Sequence, residues 1–170
     1  KDNNKIICVE ASKNTFNTLV SNTSGKNINC LNYAVTSSLD ETVDFFECSW
    51  HVLSTLDEDW LKDPKSRFGN KMPYVKTKVP TITIDKLISD YGIPDILKVD
   101  VEGAEEFVLK GANGLLARKK PILLIEIHST EIGLRCYEIL SKIYSSIRVF
   151  ETGIIPDGTE PQICHYICEA

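Results

Sequence analysis

The sequence predicts an α/β fold in one domain, residues 1–170, with helices on both faces of a largely parallel sheet. Short apolar or β-branched runs alternate with amphipathic stretches along the whole chain, which is typical of layered α/β proteins. Hydrophobic residues make up 42% of the 170 residues and charged residues 25%, as in an ordinary globular protein. This length suits a single core.

The first half of the chain begins with strand and helix patterns in turn. Residues 5–9 form a short apolar run that predicts a buried strand ending at Glu10. Ser12 is placed to cap a helix, which the polar cluster at 21–25 ends. Further strands are predicted at 28–33, continued by Ala34 and Val35, and then at 43–48 and 75–84.

The stretch at 49–74 has little periodicity and is too long for a simple connection, so we interpret it as an insert. Trp50 and Trp60 in this insert could stack on a sugar or another planar acceptor, or pack back over the core. We expect the insert to act as an acceptor-binding lid. The run from Asp57 to Asp59 contains a DxD pattern, which could hold a divalent metal in a sugar-nucleotide transferase, but a solvated acidic run is the favoured interpretation.

The second half of the chain has the clearest pattern. A short helix at 84–91 is closed by a glycine, and a helical turn or two at 104–110 directs Phe107 and Val108 inward. The run at 122–127 is almost wholly apolar, which predicts a strand covered on both faces. The remaining predicted elements are strands at 95–101, 147–150 and 163–167, a helical continuation at 115–116 and an amphipathic helix at 132–143.

Composition and charge argue against several classes of protein. The formal net charge of −5 disfavours a general nucleic-acid or anionic-membrane binder. The longest apolar runs fall far below the ~20 residues that a membrane-spanning helix needs. The six cysteines include no CxxC pair and no zinc-finger spacing, so we expect reduced thiols, no metal and a cytoplasmic protein.

Acidic side chains follow or end three of the predicted strands. These are Glu10, then Asp100 with Glu102, then Glu126 followed by His128. In open parallel sheets the ligand lies beyond the carboxyl ends of the strands, and residues two apart in a strand share a face. Helix capping explains any one of these acids alone. Three strand ends together favour a shared polar site, suited to a ligand that carries hydroxyls and positive charge.

The same residues carry a resemblance to a known family. The segments are DILKVDVEGAE at 95–105, FVLKGA at 107–112 and PILLIEIH at 121–128. Together they resemble the FkbM family of S-adenosylmethionine-dependent methyltransferases. The segments VEAS at 9–12, NYAV at 32–35 and TITIDKL at 81–87 agree with it in order and spacing, so the resemblance covers nearly the whole chain. It implies a Rossmann-like class I methyltransferase sheet and methyl transfer to a hydroxyl oxygen of a small molecule or glycan.

The resemblance also implies roles for individual residues. Glu10 would hold the ribose hydroxyls of S-adenosylmethionine, and Asp100 would face its methionine end or its methyl group. Glu102, Glu126 and His128 would line the acceptor side. His128 is the first choice of base because its unperturbed pKa lies near neutrality, and Glu102 is the second. The remaining cofactor contacts would come from Ala11, Asn32, Ala34 and Val35.

For His128 a structural role, as an imidazole bonded to a backbone carbonyl, is the alternative. Asp100 and Glu126 could also serve a metal-dependent O-methyltransferase, although two carboxylates are insufficient grounds for one. A nicotinamide dehydrogenase is disfavoured because the chain contains no GxGxxG pattern.

The chain departs from the family pattern in one respect. No two of its glycines form GxG, and no strand precedes the one at 5–9, so the first strand and its glycine-rich loop are missing. We expect the sequence to be an N-terminally cut piece of a longer protein. The alternatives are a strand supplied by another chain, or direct pairing of the two flanking strands. The same feature supports a different function, a catalytically inactive methyltransferase-like fold that serves as a binding or scaffold module.

Overall fold

The structure, a computed structural model, describes residues 4–49, 54–62, 73–159 and 163–170. Over these ranges the strands are β1 (Ile6–Val9), β2 (Ile28–Leu31), β3 (Ala34–Val35), β4 (Val43–Cys48), β5 (Tyr74–Val79), β6 (Thr81–Ile82), β7 (Ile96–Val99), β8 (Ile122–Ile127), β9 (Ser146–Val149) and β10 (Cys164–Glu169). The helices are α1 (Lys13–Thr23), α2 (Glu58–Lys62), α3 (Ile84–Tyr91), α4 (Glu105–Lys110), α5 (Asn113–Arg118) and α6 (Thr130–Leu140). The fold is mixed α/β, as the sequence predicts.

Two compact units make up the chain, and each is described by itself. The first comprises Lys1–Val35 and Leu39–Ile82, and the second comprises Thr36–Ser38 and Thr83–Ala170. The longest described helices, α1 and α6, have 11 residues each, and no helix within the described ranges has the length and apolarity to cross a membrane. The single-domain organisation stays a prediction.

Strand pairing in the first unit joins β1 to β2 and β3 to β6 in parallel, and β4 to β5 in antiparallel. The register of β1 and β2 runs from Ile6 opposite Ile28 to Val9 opposite Leu31, so both strands end at the same level. Ser12 Oγ accepts a hydrogen bond from the Thr15 N–H at 3.3 Å and caps α1, which confirms the predicted helix start.

The apolar core of the first unit divides at β4. Phe45 packs with Ala34 and Val79, whereas Phe46 packs with Leu61. Because successive strand residues point to opposite faces, neighbouring phenylalanines serve two separate clusters. Each is about 95% buried.

The stretch at 28–35 was expected to form one continuous strand, and that expectation is wrong. β2 ends at Leu31 and pairs with β1, whereas β3 begins at Ala34 and pairs with β6. Asn32 occupies the break, where its side-chain amide donates to the Glu10 carbonyl at 2.8 Å and to the Ala11 carbonyl at 2.9 Å. These bonds satisfy backbone acceptors that a strand ladder would otherwise use.

The sheet of the second unit has the strand order β7-β8-β10-β9. β7 and β8 are parallel, and β10 lies antiparallel to both of its neighbours. Leu123, Ile125 and Ile127 of β8 are buried, but Ile122 is 44% exposed. Full cover on both faces, expected from the apolar run, is therefore wrong. One face is closed, and the other is partly open at Glu126.

Helices of the second unit attach to one another and to this sheet through specific contacts. Asp85 in α3 accepts the N–H groups of Gly114 and Leu115, each at 2.8 Å, and so caps the start of α5. Gly133 in α6 lies so close to Tyr166 that an added Cβ would stand 2.7 Å from the tyrosine hydroxyl. The small residue therefore lets α6 approach β10.

Helix α4 shows one further difference from expectation. Val108 and Leu109 are 2% and 1% exposed, but Phe107 is 47% exposed. In a helix of this length one stripe faces the core, and Val108 and Leu109 occupy it. Phe107 lies outside the stripe, where the Lys110 ammonium stands 5.9 Å from its ring centroid. The inward direction predicted for Phe107 is wrong, and that predicted for Val108 is confirmed.

Candidate active site

Four residues that the sequence selected lie together in the second unit. β7 ends at Val99, so Asp100 and Glu102 stand in the turn that follows it, whereas Glu126 lies within β8 and His128 directly after it. Parallel strands β7 and β8 present their carboxyl ends at the same edge. We call Asp100, Glu102, Glu126 and His128, with Glu105 at the start of α4, the carboxylate–imidazole cluster.

The His128 ring is surrounded by carboxylates. Its Nδ1 lies 2.5 Å from Glu105 Oε1, and its Nε2 lies 3.3 Å from Glu102 Oε1 and 3.6 Å from Glu126 Oε1. The side chain of His128 is 3% exposed and that of Glu105 is fully buried. The partners are side-chain carboxylates, not the backbone carbonyl of the structural alternative.

These carboxylates control the protonation of His128. Burial is the largest single effect and lowers the pKa of the ring. Hydrogen bonding and charge from Glu102 and Glu105 together outweigh it and raise the pKa of His128 to about 10. The ring is therefore an imidazolium at neutral pH. The near-neutral pKa that made His128 the first choice of base does not hold here.

Glu105 is a residue of this cluster that sequence reasoning did not select. Burial raises the pKa of its carboxyl group, and the hydrogen bond with His128 opposes that rise. Its Oε2 is buried and meets no hydrogen-bond partner within the described residues. The signal was present, because Glu105 belongs to the DVEGAE segment, but an acid at a helix start also fits simple capping.

A cation already stands at the exposed side of the cluster. Lys98 Nζ lies 2.9 Å from Asp100 Oδ2 and 3.6 Å from Glu126 Oε2. Asp100, Glu126 and His128 could each offer one ligand atom to a metal, since these atoms lie within 4.8 Å of one another. The Lys98 ammonium lies against the same carboxylates that a metal ion would use, and the expectation of no metal stays a prediction.

Glu126 also contacts a second imidazole, that of His165. His165 on β10 stands directly opposite Glu126 on β8, and its Nε2 lies 3.1 Å from Glu126 Oε2. The other ring nitrogen, Nδ1, lies 2.6 Å from Glu151 Oε1, and the His165 backbone N–H donates to Glu151 Oε2 at 3.1 Å. Partial burial raises the pKa of Glu151, but these hydrogen bonds outweigh it and hold that pKa below its usual value.

Sequence reasoning missed His165 and Glu151. Alternation in β10 would have set His165 on the opposite face from buried Cys164 and Tyr166, but it does not reveal which strand lies alongside.

Glu10, the residue expected to bind ribose, lies in the first unit just after β1. Its Oε1 accepts the Ser12 N–H at 2.8 Å, and its backbone N–H donates to the Leu31 carbonyl at 3.0 Å. Both contacts fix the turn between β1 and α1. The expectation that Glu10 shares a pocket with Asp100 and Glu126 stays a prediction.

The other residues expected to contact a cofactor or acceptor have varied positions. Ala34 is 2% exposed and belongs to the core cluster of Phe45 and Val79, against which Ala11 also packs. Val35 follows in β3. Trp60 lies in α2, and Trp50 lies outside the described residues. Their binding roles stay predictions.

The DxD pattern has a local structural use. Asp57 Oδ1 accepts the Asp59 N–H at 2.9 Å at the start of α2. Glu58 accepts the Tyr74 hydroxyl at 2.8 Å and pairs with Lys62 at 3.0 Å. These contacts favour the interpretation of this run as a solvated helix start.

Comparisons with known proteins cover most of the chain. The crystal structure of methyltransferase FkbM from Methylobacillus flagellatus KT matches with a TM-score of 0.53 and 21% sequence identity, over 96% of this chain and 36% of that one. The chain thus spans about a third of the length of that protein, and at this identity the likeness shows the fold alone. No curated protein matches significantly. The family model described as methyltransferase FkbM domain matches residues 1–150, and the chain therefore belongs to that family.

Proposed function

We propose that the chain takes part in methyl transfer from S-adenosylmethionine to a hydroxyl oxygen of a small molecule or glycan. Membership of the methyltransferase FkbM domain family over residues 1–150 carries this proposal. When bound, S-adenosylmethionine supplies a methyl group that its sulfonium already activates. The protein then has to bind the cofactor, align the acceptor oxygen with the methyl carbon and receive one proton.

Each unit, taken by itself, has residues that suit one part of such a cofactor. Glu10 ends a strand-to-helix turn, where an acid can accept hydrogen bonds from neighbouring ribose hydroxyls through its two oxygens. The carboxylate–imidazole cluster has four carboxylates against one imidazolium and the Lys98 ammonium, which leaves an excess of negative charge. That excess suits a positively charged sulfonium, and Asp100, with 52% of its side chain exposed, is accessible to it.

Glu102 is the proposed base. It would take the proton of the acceptor hydroxyl as the new carbon–oxygen bond forms, a step that contributes about 10²–10⁴-fold to the rate in enzymes. Because the pKa of His128 is about 10, the ring holds its proton and donates from Nε2 toward Glu102. His128 therefore orients the base, and Glu126 Oε1 lies 3.6 Å from the same ring nitrogen.

Binding of S-adenosylhomocysteine, measured by isothermal titration calorimetry, tests the cofactor part of this proposal. We expect micromolar affinity for the full-length wild-type protein. Glu10→Gln should weaken it by about 10–100-fold, since hydrogen bonds to charged groups contribute about 1.5–3 kcal/mol. Asp57→Asn is the matched control and should bind as the wild type does. Absence of binding at millimolar ligand would contradict the proposal and favour a catalytically inactive binding or scaffold module.

A further inference from the structure

One pair of titratable residues has no part in the function proposed above. His165 lies in β10, and Glu151 lies in the turn after β9. Both residues lie after the last segment, 121–128, that carries the family resemblance. Yet His165 contacts Glu126, which is a member of the carboxylate–imidazole cluster, at 3.1 Å. The pair therefore contacts the carboxylate–imidazole cluster without belonging to it.

Two contacts join His165 to Glu151. The ring nitrogen Nδ1 lies 2.6 Å from Glu151 Oε1, and the His165 backbone N–H donates to Glu151 Oε2 at 3.1 Å, which fixes the orientation of that carboxylate. A ring held in this way has little freedom to turn, so Nε2 has a fixed direction, toward Glu126 Oε2. The two residues are registered partners on antiparallel strands, where directly opposed side chains on one face interact.

Fixing Oε2 also fixes the other oxygen of the same carboxylate. Glu126 Oε1 stands 3.6 Å from His128 Nε2, which in turn stands 3.3 Å from Glu102. Lys98, 3.6 Å from Oε2, competes for Glu126 but is already engaged by Asp100 at 2.9 Å. Without His165, Glu126 would be free to turn toward Lys98 and away from His128.

We propose that His165, anchored by Glu151, is a positioning residue that holds the Glu126 carboxylate against His128 at the acceptor side of the site. Only the assignment of this edge of the site to the acceptor rests on the proposed function. The positioning itself is a property of the folded chain. It identifies Glu151, His165, Glu126, His128 and Glu105 as one continuous row of alternating carboxylates and imidazoles.

Two amide variants separate the contacts of the ring. Glutamine places its amide nitrogen where histidine has Nε2, so His165→Gln retains a donor toward Glu126. Asparagine places its amide nitrogen where histidine has Nδ1, so His165→Asn retains only the contact with Glu151. Both variants remove the imidazole and introduce the same neutral group, so they are matched in charge and chemistry.

The measurement is the protonation midpoint of His128, followed by NMR of labelled imidazoles. The chain has three histidines, so each variant leaves two rings to assign. The groups facing His128 are Glu102, Glu105 and Glu126. We expect His165→Gln to keep the wild-type midpoint. His165→Asn should lower it by about 1 pH unit, the effect of moving away a carboxylate within 4–6 Å.

If His165 served only to connect β10 to Glu151, the protonation midpoint of His128 would not depend on its contact with Glu126. His165→Asn would then resemble the wild type, and an unchanged His128 midpoint in that variant would overturn the proposal. Equal shifts in both variants would also overturn it. Titration with S-adenosylhomocysteine separates this from the proposed function: if the wild type does not bind the ligand, the function fails while the midpoints still decide the positioning.

Discussion

At the scale of single residues, the main finding is that His128 is buried among acids. A buried imidazolium is stable only where its charge is compensated, and Glu105 compensates it from a fully buried position at 2.5 Å. Replacing one partner by glutamine leaves the charge of the other without compensation. Replacing both by glutamine leaves two neutral amides that can form a hydrogen bond with each other.

The pair formed by Glu105 and His128 gives the first prediction. His128→Gln should destabilise the fold by about 3–5 kcal/mol, because it leaves the buried Glu105 carboxyl group without a cation. The double variant with Glu105→Gln should recover a substantial part of that loss. Urea denaturation of the two single variants and the double variant measures the coupling. Strict additivity of the two single effects would contradict the assigned contact.

The pH dependence of stability gives the second prediction. The pKa of His128 is about 10 in the folded chain, above its ordinary value of 6.5. A raised folded pKa contributes stability that is fully present below pH 6.5 and is lost as the pH rises through about 10. The unfolding free energy of the wild type should therefore fall between these values. The double variant of Glu105 and His128 lacks this contribution, and it serves as the control for lysines, tyrosines and cysteines that titrate in the same window.

Single residues also show what the sequence could reveal about the site. Five residues that follow or end apolar strands were predicted to share one site: Glu10, Asp100, Glu102, Glu126 and His128. The structure places the last four in one cluster, whereas the place of Glu10 in it stays a prediction. His165 was not predicted, because its neighbour Glu126 is 39 residues away along the chain. Sequence alternation assigns a residue to a face but does not assign its cross-strand partner.

At the scale of elements, the start of one helix and the bounds of another were predictable. Ser12 caps α1 as expected, and α3 spans the predicted residues with Gly92 at a φ of 96° directly after it. Cap chemistry is local, so the sequence contains it. The direction of β10 and the break between β2 and β3 depend on partners far along the chain. An apolar run has the same pattern in either direction, so the direction of β10 was not predicted. The pattern also does not show that β2 and β3 pair with different strands, so the break between them was not predicted.

Asp85 provides the prediction at this scale. Its two oxygens accept the N–H groups of Gly114 and Leu115, which no residue of α5 itself can satisfy. Asp85→Ala should reduce the unfolding free energy by about 1–2 kcal/mol. Asp90→Ala in the same helix removes only a surface ion pair with Lys86, which is worth about 0.5 kcal/mol or less. Equal losses in the two variants, measured by urea denaturation, would show that Asp85 does not cap α5.

At the scale of the whole molecule, the sequence alone indicates the family. Three segments between residues 95 and 128 carried the resemblance, and the family model extends over 1–150. Those segments include the turn after β7 and the end of β8, which form the carboxylate–imidazole cluster. Motif order along the chain reports a shared fold, whereas the acceptor depends on side chains that differ between members of a family.

The last prediction links cofactor binding to the stability of the chain. A ligand that binds only the folded state raises the unfolding free energy, by about 2.7 kcal/mol at 100 times its dissociation constant. S-adenosylhomocysteine should therefore stabilise the wild type against urea. Glu10→Gln, if it binds about 10–100-fold more weakly, should lose about 1.3–2.3 kcal/mol of this increment at the same ligand concentration. Its stability without ligand should stay close to that of the wild type, because a glutamine oxygen can still accept the Ser12 N–H that Glu10 accepts at 2.8 Å. A variant that is unstable without ligand would instead show that Glu10 acts in folding, and an unchanged ligand increment would remove Glu10 from the cofactor site.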